Sequence, residues 1–293
     1  YATPRSVNTL AGIIKDINQS LPSDTQVYVC EAGARLEGDI YAIAQFLHPQ
    51  IVVVGKVGPQ HIEYFKTIDR IKRTKLELIH SDRLEKAFVH TSVTDQSHPK
   101  VTFFGDELLN MNATLEGTDF DLTLGGELQH FHTSVLGGFQ TINLNAAILI
   151  ADQMGMHTSE IVQAVKNLKS VEHRLERINV GGKIILDDSY NGNIDGMLEG
   201  IRLCSLHDGR KVIVTPGLVE STKELNSELI HAINGVFDIA IITGQLNAAQ
   251  FDKELNVPEK IMLSDKSQIE AKLGEVTRAG DIILFANDAP NFI

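Results

Sequence analysis

A chain of 293 residues, 43% apolar and 22% charged, has room for two hydrophobic cores and none of the compositional bias of a disordered or fibrous protein. Its formal net charge of −12 excludes a general nucleic-acid binder, which needs a basic surface to displace counterions, so an anionic ligand must be held by a local cluster of donors. No apolar run approaches the roughly 18 residues of a membrane helix, the opening YATPRSVNTL has no secretory pattern, and Cys30 and Cys204 are too few for a disulfide framework; a cytoplasmic protein with reduced core thiols is expected.

The chain opens inside what reads as a loop and helix, TPRSVNTLAGIIKDINQSL, and further residues upstream of Tyr1 are expected. Short β-branched runs at 27–31 and 51–54, bounded by Gly or Pro, read as buried parallel strands, with helical spacing over 39–47 between them. This βαβ rhythm predicts a parallel sheet covered by helices. The segments 113–115, 121–124 and 127–134 alternate with a period of two, and Gly125-Gly126 supplies a tight turn, so a small antiparallel patch follows. Helices are predicted over 143–154 and over 159–168, the second capped by Thr158 or Ser159. After Ser170 strands are predicted at 183–187, 211–214, 239–243, 260–263 and 281–285, alternating with helices at 194–206, 223–235, 248–255 and 267–277, which is a doubly wound pattern. The expected fold class is therefore α/β, with domains over 1–171 and 172–293.

Open α/β sheets present ligand groups at the carboxyl ends of their strands, which directs attention to the first polar residues after each apolar run. Glu31 ends VYVCE, His61 follows IVVVG within GPQHIEYF, and Lys75 lies in the helix-like RIKRTKLELI. A carboxylate and an imidazole at neighbouring strand ends can bind a divalent cation, and Mg²⁺ takes mainly oxygens. Each residue also has a bland alternative, as a solvated strand-end Glu, a loop His or one member of a charged helix face. In LDDSYNGNIDGM, Asp187 or Asp188 can accept from both ribose hydroxyls and the Asn side chains can pair with a base edge, or the stretch is an ordinary polar turn. Arg174, in VEHRLERI, has the fork of donors that clamps a phosphate and is equally suited to a boundary ion pair. His130 and His132 share one strand face, with no third metal ligand evident beside them.

At these residues the chain resembles the Mur ligase family, over nearly its whole length. EAGA around Glu31 looks like the family's metal-binding glutamate segment, GPQHIEYF resembles its GPxHLExF segment, and TKLELI resembles AKGEIF, whose lysine is carbamylated in many members. GGFQTINLNAA is similar to GxHNxxNxxAA near adenine, HRLE matches the arginine segment, and DDSYNGNIDGM is close to DDSYNANPxSM, which is typical of the MurF branch; TPGLVE also looks like a later strand and turn of that branch.

The resemblance implies the remainder of a central ATPase domain followed by a Rossmann-like carboxyl-terminal domain. It implies Mg²⁺ on Glu31, His61 and carbamylated Lys75, with Lys75, His61 and Arg174 in catalytic roles. Asn143 would approach adenine, Arg174 the terminal phosphate and Asp188 the ribose, with Tyr190, Asn191 and Asn193 bordering the nucleotide and the incoming amine. The implied reaction is ATP-dependent amide formation through an acyl phosphate, joining D-alanyl-D-alanine to UDP-N-acetylmuramoyl-tripeptide in a protein expected to be monomeric. Another ligase of the superfamily, such as a folylpolyglutamate synthase, and a noncatalytic nucleotide-binding module stand as alternatives. The sequence departs from the family pattern in places. No GxxxxGK[ST] occurs, so residues 1–293 alone are expected to be inactive; Phe139, Gln140 and Lys56 replace the family's His, Asn and Asn; and DIILFANDAPNF stands where GDxVLxKGSR is frequent.

Overall fold

In the computed structural model, which describes residues 1–288 other than 5, 60, 61, 191 and 220, the chain divides into a unit of residues 1–106 and another of residues 107–293. The first begins with α1 (Leu10–Ser20), opened by Thr9, whose side chain accepts from the Gly12 N–H. Helix α2 (Asp39–Leu47) falls on the predicted residues, as does β1 (Ile51–Val54). Then come α3 (Ile62–Phe65), α4 (Ile68–Leu76), β2 (Lys86–His90) and β3 (Val101–Phe104). The three strands pair in parallel in the order β1-β2-β3. Val52, Val54, Ala87 and Val89 pack into one buried cluster with Leu84 and Val93.

Glu77, just past α4, accepts from the N–H groups of Gly38 and Tyr41, each at 2.9 Å, and so places a carboxylate at the amino terminus of α2. The strand expected at 27–31 is absent. Among the described residues their backbone pairs with residues 1–3, through Thr3 N–H to Val29 O at 2.9 Å and Val29 N–H to Tyr1 O at 2.8 Å, a ladder that ends in a single bridge. Val27 and Val29 are accordingly exposed.

The second unit opens with β4 (Leu109–Ala113), β5 (Thr118–Leu124) and β6 (Glu127–Thr133), an antiparallel meander. Gly125 and Gly126 turn β5 into β6 with φ of 60° and 87°, the left-handed pair such a hairpin demands. Helices α5 (Gly138–Gln153) and α6 (Thr158–Lys166) supply Ile148, Ile161 and Val165 to a core with Phe120, Leu122 and Phe131. The cap of α6 is His157, whose N–H is taken by Glu160 at 3.1 Å; Thr158 and Ser159 fall inside the first turn.

The remaining elements are β7 (Glu176–Val180), β8 (Lys183–Asp188), α7 (Ile194–Ser205), β9 (Lys211–Thr215), α8 (Lys223–Asn234), β10 (Ile239–Thr243), α9 (Ala248–Glu254), β11 (Glu259–Leu263), α10 (Ile269–Val276) and β12 (Ile282–Ala286). They form a six-stranded sheet in the order β11-β10-β9-β12-β8-β7, parallel except for β7. Both β10 and β12 are buried at every residue, as befits central strands with helices on each face. The chain runs from β8 to β9, outward to β11, and returns through β12 between the first two. That reversal opens a crevice at the carboxyl ends of β8, β12 and β9. The division expected between residues 171 and 172 lies inside this unit, where Arg202 of α7 donates to Ala113 O and Glu199 accepts from Gly138 N–H, both at 2.9 Å.

Candidate functional site

Within the first unit, Glu31 follows the VYVC run and is held by Asn8. The Asn8 carbonyl accepts from Gly33 N–H at 2.8 Å, and the Asn8 side chain lies so close over Gly33 that an added Cβ there would sit 2.8 Å from Asn8 Cγ. From that position Asn8 Nδ2 donates to Glu31 Oε1 at 3.1 Å. Lys75, in the last turn of α4, is half-buried, and its side-chain amine makes no hydrogen bond to another described residue. Burial lowers its amine below the ordinary lysine value, and the Glu31 carboxylate acts in the opposite sense. Glu31 and Lys75 therefore feel each other's charge across this unit. His61 lies outside the described residues.

The second unit gathers Arg174, Asp188 and Tyr190. Arg174 Nη1 donates to the Tyr190 carbonyl at 3.0 Å, and its guanidinium carbon lies 4.6 Å from the Tyr190 ring centroid, in cation–π range. Asp188 ends β8 at 5% exposure. Burial pushes its carboxyl up to about 6, against the charge of Arg174 and the N–H of Leu175, with Asp187 adding to the rise. Asn193 caps α7 by accepting from Gly196 N–H at 3.0 Å, and a Cβ added at Gly196 would lie 3.6 Å from both Asn193 Oδ1 and Asp188 Oδ2. Asn143 is exposed on α5 and donates to Gln140 at 3.1 Å, and no bond joins it to the Arg174 cluster among the described residues. Asn191 lies outside the described residues.

Beside Tyr190 a cleft of about 540 Å³ opens at the carboxyl ends of β8, β9 and β10, lined by Ser189, Tyr190, Thr243, Gln245, Lys266 and Asn287 among others. Asp288, almost fully buried, accepts from the Thr243 hydroxyl at 2.5 Å and from Lys266 Nζ at 2.8 Å. Asn287, in the left-handed region at φ 65°, ties neighbouring segments together: its Oδ1 accepts from Gly192 N–H at 2.9 Å, its N–H reaches Asp188 O at 3.0 Å, and Nδ2 donates to Gly217 O at 3.1 Å. None of Asn8, Lys266, Asn287 and Asp288 is singled out by the sequence. The departure of FANDAPNF from the family ending was the one available signal. Elsewhere, His130 and His132 bond Asp121 and Asp119 at 2.7 and 2.8 Å, and among the described residues no group of three or more His, Cys, Asp or Glu is arranged to hold a metal.

Comparison with known proteins agrees with this architecture. The chain is 24% identical over 288 residues to the UDP-N-acetylmuramoyl-tripeptide–D-alanyl-D-alanine ligase of Bacillus subtilis, an alignment that covers 91% of this chain and 62% of that relative. The chain thus spans about three fifths of the length of that curated protein. The crystal structure of MurF ligase from Thermotoga maritima in complex with ADP superposes with a TM-score of 0.83 at 25% identity, over 98% of this chain and 70% of that one. MurF from Acinetobacter baumannii shares the fold, with a TM-score of 0.82 at 18% identity over 97% and 66% of the two chains. Residues 2–151, just over half the chain, match the Mur ligase middle domain, and with that match the chain belongs to the Mur ligase family.

Proposed function

We propose that the protein carries out ATP-dependent amide formation of the MurF type in the cytoplasm, joining D-alanyl-D-alanine to UDP-N-acetylmuramoyl-tripeptide, with residues 1–171 as the ATP-binding part and 172–293 as the ligase part. The observation that carries this reading is the likeness to the ADP-bound Thermotoga maritima MurF over 98% of the chain. The domain division is supported by the middle-domain match ending at residue 151 and by the six-stranded sheet starting at Glu176.

The donor set of the first unit fits magnesium on one condition. Glu31 offers a carboxylate, but an ammonium at Lys75 would repel a cation. A half-buried amine with a lowered pKa has a larger neutral fraction, and the neutral amine can attack carbon dioxide, lose a proton and become a carbamate, an anionic oxygen donor of the kind Mg²⁺ takes. Glu31, carbamylated Lys75 and His61 are then the residues that would hold the ion, which when bound supplies neutralisation of phosphate charge.

In the proposed reaction the tripeptide carboxylate attacks the γ-phosphorus of ATP and ADP leaves, giving an acyl phosphate. The amine of the dipeptide attacks the acyl carbon, phosphate departs and the amine loses its proton. Arg174, steadied by the Tyr190 ring, is suited to offset charge on the transferring phosphoryl group, and Asn143, Asp188, Asn191 and Asn193 are assigned to the nucleotide side. The cleft beside Tyr190 has Lys266 in its lining, and this exposed ammonium, steadied by Asp288, is suited to meet the carboxylate of the acceptor dipeptide.

The test is mass analysis of the product formed by the full-length protein from ATP, UDP-N-acetylmuramoyl-tripeptide and D-alanyl-D-alanine. The expected product is the tripeptide precursor enlarged by one dipeptide less one water. Lys75→Ala should abolish its formation, with partial return on adding short-chain carboxylic acids. Nucleotide binding without product would favour the noncatalytic module, and undiminished product from Lys75→Ala would remove Lys75 from the site.

A further inference from the structure

Arg174 stands between two residues of unfavourable backbone. His173 and Leu175 have φ of 60° and 53°, in the left-handed region that residues other than Gly, Asn and Asp rarely enter. Such a turn persists when its surroundings over-determine it. On the carboxyl side the restraint is packing: Leu175 is fully buried in the cluster that contains Leu186, Met197 and Leu284, and its N–H bonds Asp188. On the amino side burial gives little, because Val171 is 61% exposed and the His173 side chain 29% exposed. That side is held by the bond from Arg174 N–H to Val171 O at 3.1 Å and by Asp187, a fully buried carboxylate whose Oδ2 lies 2.6 Å from His173 Nδ1 while its Oδ1 accepts from Ser189 N–H at 3.1 Å. The His173 carbonyl in turn accepts from Tyr190 N–H at 3.3 Å, so the turn is stitched to the same residue on which Arg174 rests.

We infer that His173 and Asp187 are a positioning pair: the buried carboxylate, through the imidazole Nδ1–H, fixes the backbone that delivers the Arg174 guanidinium to Tyr190 and Asp188. Neither residue touches the reacting atoms, and their effect on the reaction passes through Arg174. The importance of this for turnover rests on the proposed role of Arg174 at a phosphoryl group. The placement of Arg174 can be read without nucleotide or turnover, so a failure of the pair is distinguishable from a failure of that role.

The reporter is Asp188, whose titration is moved by burial, Arg174, Leu175 N–H and Asp187, so that His173 reaches it through its neighbours. Carbon-13 carboxyl NMR of residues 1–293 would give its midpoint in the parent chain and in variants. Arg174→Gln should raise the midpoint, because the guanidinium that favours the carboxylate is gone. His173→Ala should raise it in the same direction, and the double variant should go no higher than Arg174→Gln alone, since effects that share one path do not add. His173→Asn should keep the parent midpoint, because its amide N–H takes the place of Nδ1–H and Asn tolerates the left-handed backbone. His173→Gln, with its amide one bond further out, should behave like the alanine form and serves as the second variant if that one does not fold. A parent-like midpoint in folded His173→Ala or His173→Gln, or shifts that add in the double variant, would overturn the assignment.

Discussion

Asp188 is a carboxylate where burial opposes charge, and this has a consequence for stability with a defined sign. Its value is 3.8 in an unperturbed chain and about 6 in the folded protein. Below the lower value both states are protonated and the group is neutral to folding. Between the two the folded state binds more protons than the unfolded one, so stability falls as pH rises, and above about 6 the whole loss stands, on the order of 3 kcal/mol for a shift of this size. Asp188→Asn, uncharged at every pH, should therefore raise the unfolding free energy at neutral pH by about 1–3 kcal/mol and leave it unchanged at a pH below the unfolded value. Chemical denaturation at the two pH values checks this, and an equal change at both would contradict it. Glu31, Lys75, Arg174, Asp188 and Tyr190 were candidates readable from the sequence, since a short motif surrounds each. Asn8 and His173 were not, because their bonds to Glu31 and Asp187 reach across 23 and 14 residues of sequence, and only folding brings those partners together.

At the scale of elements, apolar period and turn residues located most of the strands and helices, and the misses have physical causes. Strand β7 is an edge strand whose last two residues are exposed, so its apolar content is thin. Gly181 and Gly182, at φ 56° and 73°, join Val180 to Lys183 just as Gly125-Gly126 joins β5 to β6. Strand β2, KAFVH, carries only a three-residue apolar run between Lys86 and His90, and its burial comes from lying between β1 and β3. The run at 27–31 had strand composition without a long enough partner.

The antiparallel meander offers a paired test of local geometry. Gly117, at φ 153°, has Thr133 O where a Cβ would come within 2.3 Å, whereas Gly125, at φ 60°, faces open space. Gly117→Ala should destabilise the second unit by more than about 1 kcal/mol. Gly125→Asn, which creates the Asn-Gly pair favoured in such turns, should be neutral or slightly stabilising. Thermal unfolding distinguishes them, and equal melting temperatures for the two variants would show that the hairpin geometry has been misjudged.

For the whole molecule, a net charge of −12 makes the placement of positive groups decisive. Arg174 is set against Tyr190 and Asp188, and Lys75 faces Glu31 from a half-buried position. In the function proposed above, the first unit would supply groups for a cation and the second a guanidinium and a polar cleft. The most direct measurement is phosphate release by the full-length protein with ATP and magnesium, substrates being added singly and together. The account predicts release only when UDP-N-acetylmuramoyl-tripeptide and D-alanyl-D-alanine are both present; equal turnover with folate and glutamate in their place would contradict it.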